Sequence, residues 1–543
     1  MTNPYSSHSR REFLSLSLTG SALLSVLGLS FNPVKASLGT ITFRNHTDAE
    51  KSSDHKETES ATPTETDSPE DSPIETARSI FQEFQTRLRK MIDKCGELGM
   101  SLESSVTERY FYRETEYEYF IPPLPKNALP EELPNDATAE QKSWFNALKR
   151  ITGDCSAQLY QLAKKAADQN QGFDVAQILL LVLRVNPDHT EARRVFGYRL
   201  KSGKWRTLWE INQLEKGNVE HPEFGWLPQS YVEKYEAGKR YYRGRWVDTA
   251  VEKEKMQETG SGWKIETEHY SIVSHNSLEE GVLKGRLLES YYRIWEQFFL
   301  SFAASDRQWI ALFRGEKNAT LRRHKVFFYK NREAYLEELK NFDHNVGYST
   351  GGYFPEMESI FLYTPSENDD WNPDEMLFHE ATHQLFQEGT LARSIKIPYS
   401  RLASKANFWA LEGICTYMET IKMLNNGFLI GGTDSQRFQT ARLRVVKSAT
   451  LPLAELAGMN MRTFQTYKEI AALYTQANGW TTFFMHHENG KYKQAFIDYL
   501  HLIYAGKDRP QSLEDVTGKT FLELDDEYRS YMLKAPDLID RKG

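Results

Sequence analysis

A His-Glu-x-x-His pentad stands in the C-terminal half of the chain, with its charged residues at His379, Glu380 and His383. Four residues of α-helix rise about 6 Å and return to the same face, so two imidazoles at this spacing can share one metal ion. Zinc accepts imidazole nitrogens at about 2.0–2.1 Å. A carboxylate at Glu380 would lie beside that metal, where it can take a proton from a zinc-activated water and later deliver it to a leaving group. The pentad therefore predicts a Zn2+ site with Glu380 as general base and then general acid.

A third ligand is predicted further along the chain. The segment 408–419 reads Phe-Trp-Ala-Leu-Glu-Gly-Ile-Cys-Thr-Tyr-Met-Glu and carries Glu412. Two histidines and one glutamate would leave a fourth coordination position open, as catalytic zinc sites require. We therefore expect His379, His383 and Glu412 to hold the metal. Cys415, in the same segment, is expected to pack as a small buried side chain.

Local signals mark the helix that must carry the pentad. Asn372 is a good N-cap, Pro373 suits the first helical position, and the two acidic residues that follow favour the positive end of the helix dipole. Gly389 is a natural terminator. The sequence predicts a helix over 373–388.

The segments before this helix predict an α+β unit. Alternation at 270–273 and 326–329 is typical of strands, and 347–354 with 359–364 is predicted to form a hairpin. A capping box at Ser277 opens a long amphipathic helix. Its inner side is predicted to carry Leu283, Leu287, Leu288, Tyr291, Ile294, Trp295 and Phe298.

These residues resemble the gluzincin clan of metallopeptidases, at the pentad and at the Trp-x-x-Glu-Gly-x-x-x-Tyr pattern of 409–417. The second element is similar to the aminopeptidase pattern W-L-x-E-G-x-A-x-Y, with Cys415 where alanine is usual. Thermolysin relatives place an aspartate where this chain has Thr416, so that branch fits less well. The Gly-Ala-Met-Glu-Asn strand motif of the aminopeptidases is not present, and exopeptidase specificity does not carry over.

The fuller arrangement resembles an uncharacterised bacterial family of exported gluzincin-like proteins with a helical front. The likeness covers about 175–505 and includes the Thr-Gly-Gly-Tyr stretch of 350–353 and the Tyr-x-Gln-Ala stretch of 474–477. It implies a zincin-like domain with a mixed sheet and a C-terminal helical part, acting on a peptide or protein substrate. It further implies that strand 359–364 borders the cleft and pairs with the peptide. Tyr474, or in second place Tyr417, would donate to the oxyanion.

The N-terminus resembles a twin-arginine export signal. Arg10 and Arg11 are followed by Phe13, and a moderately apolar stretch runs to a small-residue cleavage pattern at 34–36. The resemblance implies export to the periplasm or beyond, with 1–36 as the signal. An uncleaved N-terminal membrane anchor is the alternative, and a membrane role is expected only through it. Residues 37–76 are rich in Ser, Thr, Pro and acids and are predicted to be a disordered spacer.

A helical domain is predicted over 77–205, with helices beginning near Ala77 and spanning 139–168 and 173–185. The sequence Asn-Pro-Asp at 186–188 should end the last of these, and Thr190 can cap the next helix. A helix pair broken by a proline turn looks like a single tetratricopeptide-type unit, fewer than an array needs. A connector with short strands is expected over 206–262 and the metallopeptidase-like domain over 263–540.

Length, charge and cysteine count exclude some classes of protein. The chain has 543 residues, too long for one ordinary core, with 67 basic and 75 acidic side chains. Much of the excess negative charge lies in the acidic stretch 48–75, so the remainder shows no basic footprint for nucleic acid. Cys95 and Cys155 are a possible bridge, but three cysteines do not make a disulfide framework. Two functions stay open: a zinc hydrolase cleaving peptide bonds, or a non-catalytic binding or scaffolding protein with a structural zinc and a partner-binding helical domain.

Overall fold

A computed structural model describes residues 72–127, 133, 135–316, 322–340, 350–392, 397–398, 401–424 and 427–536. The expected export signal and all but the last five residues of the expected spacer lie outside these ranges. The described chain mixes helices and strands, which confirms an α+β class. Within it, every helix is too short or too polar to cross a membrane.

Five helices and one hairpin make up the helical front, residues 73–195. In chain order its elements are α1 (Pro73–Glu97), α2 (Ser101–Glu108), β1 (Arg113–Glu114), β2 (Glu118–Ile121), α3 (Ala139–Asp168), α4 (Gly172–Val185) and α5 (Thr190–Val195). The α3 helix has the predicted bounds. The α1 helix begins earlier than predicted because Pro73 itself occupies its first turn. His189 rather than Thr190 caps α5, its Nδ1 accepting the N–H of Ala192 at 3.3 Å.

The hairpin ladder, residues 197–259, consists of three successive hairpin–helix units. They are β3 (Tyr198–Lys201), β4 (Lys204–Thr207) and α6 (Leu208–Glu215); β5 (Asn218–His221), β6 (Gly225–Pro228), a 3-10 turn and α7 (Val232–Glu236); and β7 (Lys239–Tyr242), β8 (Arg245–Asp248) and α8 (Thr249–Thr259). Each unit opens on a glycine with positive φ, a conformation that glycine adopts without strain, and carries a tryptophan in its second strand. The predicted short strands are therefore present, in an ordered repeat.

The next part of the chain forms a mixed sheet covered by helices. Its elements are β9 (Trp263–Glu266), β10 (Tyr270–Ser274), α9 (Leu278–Phe298), α10 (Leu300–Ala303), α11 (Asp306–Phe313), β11 (His324–Tyr329), α12 (Arg332–Leu339), β12 (Gly351–Phe354), β13 (Ser359–Tyr363) and α13 (Pro373–Ala392). The strand order is β12-β13-β11-β10-β9, with β11 parallel to both neighbours and the two outer strands antiparallel. The predicted strands are confirmed, except that residues 347–349 of the predicted hairpin lie outside the described ranges.

The three ladder units contact α9 at seven-residue intervals, which is two helical turns or about 10.5 Å. The contacts are Arg293 over the ring of Tyr198 at 5.2 Å, Arg286 donating to the His221 carbonyl at 2.8 Å, and Arg240 paired with Glu279 at 2.6 Å. The ladder therefore braces the outer side of α9. The inner side of α9 packs on α13 through the stacked rings of Tyr291 and Phe378.

One residue predicted to lie on the inner, buried side of α9 is exposed instead. Leu283 is 63% exposed, whereas Leu288 and Trp295 are fully buried. The prediction for Leu283 is wrong because the buried stripe of α9 follows Gly281, Val282 and Gly285 at this end. The two glycines let the helix approach the side chains of β9 and β10 closely.

The C-terminal part is mostly helical. Its elements are α14 (Phe408–Met418), β14 (Lys422–Leu424), β15 (Gly427–Gly431), α15 (Gln436–Val446), α16 (Leu453–Ala457), α17 (Met461–Gln465), α18 (Ile470–Gly490), α19 (Lys493–Tyr504), α20 (Ser512–Thr517) and α21 (Phe521–Lys534). Every residue of α14 is buried. It packs on α18 so closely that a Cβ added at Gly413 would lie 2.5 Å from the Thr481 hydroxyl.

A second sheet joins the helical front to the C-terminal part, with the strand order β1-β2-β15-β14. Strand β2 of the helical front pairs antiparallel with β15 over four residue pairs. Tyr119 on β2 is buried in the same hydrophobic core as α14 and donates its hydroxyl to the carbonyl of Met485. The helical front is thus tied into the part of the chain that carries the pentad.

Two other predictions are corrected by packing. Gly389 does not end α13, which continues to Ala392. Its lack of a side chain serves close packing instead, since an added Cβ would meet the Phe302 carbonyl at 3.0 Å. All three cysteines are free thiols, so Cys95 and Cys155 do not pair.

Candidate metal centre

The helix α13 brings the three residues of the pentad together as predicted. Asn372 caps it, its side-chain oxygen accepting the N–H of Asp374 at 2.9 Å. His379, Glu380 and His383 are all buried. The Nε2 atoms of the two histidines face each other at 3.3 Å, the consequence of their four-residue spacing on one helix face.

Glu412 reaches the same point from α14. Its Oε2 lies 3.5 Å from Nε2 of His379, and its Oε1 lies 3.8 Å from Nε2 of His383. The residue is fully buried, and neither carboxylate oxygen has a hydrogen-bond partner in the described part of the chain. Burial raises the pKa of this carboxyl, against the effect of His379. A buried carboxylate in this position favours a cation beside it.

The spacing of these donors fits a small divalent ion. Two ligands bound tetrahedrally at about 2.0–2.2 Å are roughly 3.3–3.6 Å apart, which matches the separations of 3.3 and 3.5 Å observed here. Burial, followed by the charge of His379, lowers the pKa of His383 well below its usual value. His383 is therefore neutral, as metal ligation requires.

A second grouping of donors shares the same histidines. One donor atom each from His379, His383 and Cys415 lie within 4.8 Å of one another, and all three residues are buried, so this group could also hold a metal ion. The predicted burial of Cys415 is confirmed, but its place beside the histidines was not predicted. Glu412 is the better placed third donor because its oxygens face the two Nε2 atoms at 3.5 and 3.8 Å. Burial raises the pKa of the Cys415 thiol well above its usual value in the absence of a metal.

Glu419 is a residue of the site that sequence reasoning missed. Nδ1 of His379 lies 2.7 Å from Oε1 of Glu419, which assigns the Nδ1 proton and leaves Nε2 for a metal. Arg437 holds the same carboxylate through Nε at 2.6 Å and Nη2 at 3.1 Å. Thr416, where an aspartate would be expected in thermolysin relatives, donates instead to the carbonyl of Gly413.

The signal for Glu419 was its spacing. Glu419 comes directly after the last residue of α14 and follows Glu412 by seven residues, which is two helical turns. Both acids therefore lie on the side of this helix that meets the pentad. Burial disfavours a charged His379, but the nearby carboxylates of Glu412 and Glu419 outweigh this and raise its pKa to about 10. The pKa of Glu419 is lowered, because Arg437 and His379 together outweigh its burial. The two carboxylates therefore draw positive charge to this point.

Glu380 is anchored to strand β12. Its Oε2 accepts the main-chain N–H of Tyr353 on β12 at 2.7 Å. Burial raises its pKa to about 7, against the charge of His379 and the hydrogen bond from Tyr353. A carboxylate that gains and loses a proton near neutrality suits general acid–base chemistry.

The strand predicted to pair with a peptide is corrected. Strand β13, which covers 359–363, lies between β12 and β11 and is paired on both sides. Among the described residues, the outermost strand at this edge of the sheet is β12, the strand whose Tyr353 contacts Glu380. Any strand addition beside the site would therefore use β12.

The two tyrosines considered as oxyanion donors have different surroundings. The hydroxyl of Tyr417 lies 2.9 Å from Nε2 of His486, on the side of α14 that meets the β1–β2 hairpin, so it does not face the pentad. Tyr474 is buried with its ring against Phe464, and its hydroxyl influences the pKa of Arg437. A role for Tyr474 stays a prediction.

Comparison with known proteins adds no assignment. The sequence matches no protein-family model, and a search of curated proteins finds no significant match. Function is therefore inferred from the chemistry of the site itself.

Proposed function

We propose that this protein is a zinc-dependent hydrolase of the gluzincin type that cleaves peptide bonds. One observation carries the proposal: two imidazole Nε2 atoms 3.3 Å apart face a fully buried carboxylate, that of Glu412, whose oxygens have no hydrogen-bond partner in the described chain. Nitrogen and oxygen donors in a two-His, one-Glu set are those of catalytic zinc centres. His379, His383 and Glu412 would hold the ion.

The chain's own residues supply the rest of the chemistry. A bound zinc ion would polarise the attacking water and the scissile carbonyl. Glu380 takes the proton of that water and passes it to the leaving amine, a shuttle that its pKa near neutrality supports. Glu419 fixes the ring of His379 through Nδ1, and Arg437 in turn fixes Glu419.

Substrate would bind along the edge of the mixed sheet. A peptide or protein segment in extended form can add to β12 through main-chain hydrogen bonds. The N–H of Tyr353 already points from β12 to Glu380, so a peptide on this strand would pass the general base. Tyr474 is the candidate donor to the oxyanion.

The same proposal covers the rest of the chain. Residues 263–540 would be the zincin-like domain, and the helical front would contain one tetratricopeptide-like unit. The N-terminal resemblance supports export through the twin-arginine route, to the periplasm or outside the cell. The signal and the acidic spacer would precede the catalytic part.

A second function has a specific observation in its favour. Cys415 lies within 4.8 Å of the donor atoms of both histidines, and a fourth protein donor is typical of structural zinc sites. In that case the zinc would stabilise the C-terminal part, and the helical front would bind a partner without catalysis.

Substitution of Glu380 by glutamine separates the two functions. We expect the E380Q protein to keep its zinc, measured by elemental analysis, and to lose hydrolysis of a peptide library by about 10²- to 10⁴-fold. The control is Asp374→Asn, an acid-to-amide change on the same helix at a residue paired with Lys284. Full activity in E380Q would refute the mechanism, and zinc binding with no hydrolysis in the wild type would favour the structural role.

A further inference from the structure

We infer that Cys415 is a fourth metal donor, so that the site alternates between a three-ligand open form and a four-ligand closed form. The inference rests on the proposed function because it concerns the same ion. It adds a way to switch hydrolysis off, which the His379–His383–Glu412 set alone does not provide.

The position of Cys415 carries the argument. It lies three residues after Glu412, hence on the same face of α14, and it is fully buried. Its sulfur and one nitrogen each of His379 and His383 lie within 4.8 Å of one another. Donors on one tetrahedral zinc are roughly 3.3–3.6 Å apart, so the sulfur would have to come closer to those nitrogens by no more than about 1.5 Å.

Two further observations show that the groups around the metal position could adjust to an additional ligand. Nδ1 of His383 is buried and has no hydrogen-bond partner in the described part of the chain, unlike Nδ1 of His379, which Glu419 holds. The ring of His383 is therefore not fixed by an outer carboxylate and can turn with the metal. Glu412 likewise has no hydrogen bond that opposes a shift of its oxygens.

Closure needs no oxidant or reductant. Cys415 gives up its thiol proton to solvent and its sulfur takes the fourth position, so one proton and one water molecule are released for each sulfur–metal bond formed. Thiolate is a soft donor that favours zinc, cadmium and cobalt over magnesium or calcium. A closed site would have no position for the attacking water, and hydrolysis would await release of the sulfur.

Cobalt substitution tests the inference without relying on activity. Full-length protein freed of metal with a chelator is titrated with Co2+, and the absorption of a thiolate–cobalt charge-transfer band is recorded in the near ultraviolet. We expect the band to rise to one equivalent in the wild type, to persist in a C95A/C155A variant, and to vanish in C415A while the weak visible cobalt bands remain. Zinc affinity should fall at least about tenfold in C415A, since even outer partners of a metal contribute that much.

The outcomes separate this inference from the proposed function. If cobalt binds to the wild type and is lost in a H379A/H383A variant, but no thiolate band appears and C415A binds zinc as tightly, Cys415 is not a donor and only this inference fails. If the H379A/H383A variant binds cobalt as the wild type does, the proposed metal site fails as well. A C415S variant, which keeps the side-chain volume, shows whether loss of packing accounts for any change.

Discussion

Replacing Glu419 by glutamine should weaken zinc binding while leaving all three proposed ligands in place. The carboxylate lies 2.7 Å from Nδ1 of His379, which puts it roughly 6–7 Å from an ion on Nε2. At an effective dielectric constant of 20, a unit charge at that distance interacts with a divalent ion by about 5 kcal/mol. Arg437, bonded to the same carboxylate, cancels most of this field. We therefore expect the smaller loss typical of an outer partner, about 10- to 100-fold in Kd or about 1.4–2.8 kcal/mol.

The assay is a competition titration of metal-free protein with zinc in the presence of a chromophoric chelator. The chain offers a matched control in Glu388, which is on α13 and accepts from Nδ1 of His324 at 2.6 Å, a histidine outside the metal set. The E388Q protein should bind zinc as the wild type does. Circular dichroism of the metal-free proteins checks that both variants are folded. Unchanged affinity in E419Q, or an equal loss in E388Q, would refute the role given to Glu419.

Three other predictions test the fold around the site, and the last of them compares two substitutions. The interactions of Glu289 with His269 outweigh its burial and lower its pKa to about 2. Because a glutamate in the unfolded chain has a higher pKa, about 4.3, the ionised Glu289 stabilises the folded state. This stabilisation is fully present above about pH 5 and is lost as the pH falls towards 2. In E289Q the unfolding free energy measured by urea should therefore lose up to about 3 kcal/mol at neutral pH and depend less on pH in the acid range. Gly413→Ala should lower the unfolding free energy measured by urea by about 1–3 kcal/mol, since the new methyl group overlaps α18, and an unchanged free energy would contradict the packing described. Leu288→Ala should cost about 2–5 kcal/mol and Leu283→Ala less than about 0.5 kcal/mol; equal costs would show that α9 is turned differently.

Local sequence signals located the pentad helix and the long helix of the helical front. Asn372 and Pro373 start α13 through interactions within one turn. The α3 helix was predicted from its periodicity alone, and the structure adds that Thr138 caps it through an equally local capping box. Such signals depend on neighbouring residues only, so they can be read without a fold. The proposed third donor, Glu412, was chosen because it completes a two-His, one-Glu set and because its segment resembles the gluzincin pattern.

Long-range packing decided the features that were missed. Gly389 looks like a terminator, but its role depends on Phe302, far away in sequence. Glu419 acquires its role only when α14 is laid against α13, and its partner Arg437 comes from a third helix. Cys95 and Cys155 could be paired on paper, but both are free thiols, and Cys155 lies against the carbonyl of Ile80, four helical turns before Cys95 on α1.

The repeat of the hairpin ladder was hidden for a different reason. Trp205, Trp226 and Trp246 recur at similar intervals, but the second unit has a longer turn and a 3-10 segment that shift the pattern. Its regularity becomes plain when the contacts with α9 are compared, because each unit meets that helix two turns from the last.

The sheet shared by β2 and β15 has a consequence for how this molecule can be divided. A fragment beginning after Ile121 would lack an interior strand, and the N–H and C=O groups of β15 along that side would be left open to water. An uncovered strand of this kind recruits other chains and promotes aggregation. The helical front therefore protects β15 from such association, and a soluble fragment that carries the pentad would have to include residues 113–121.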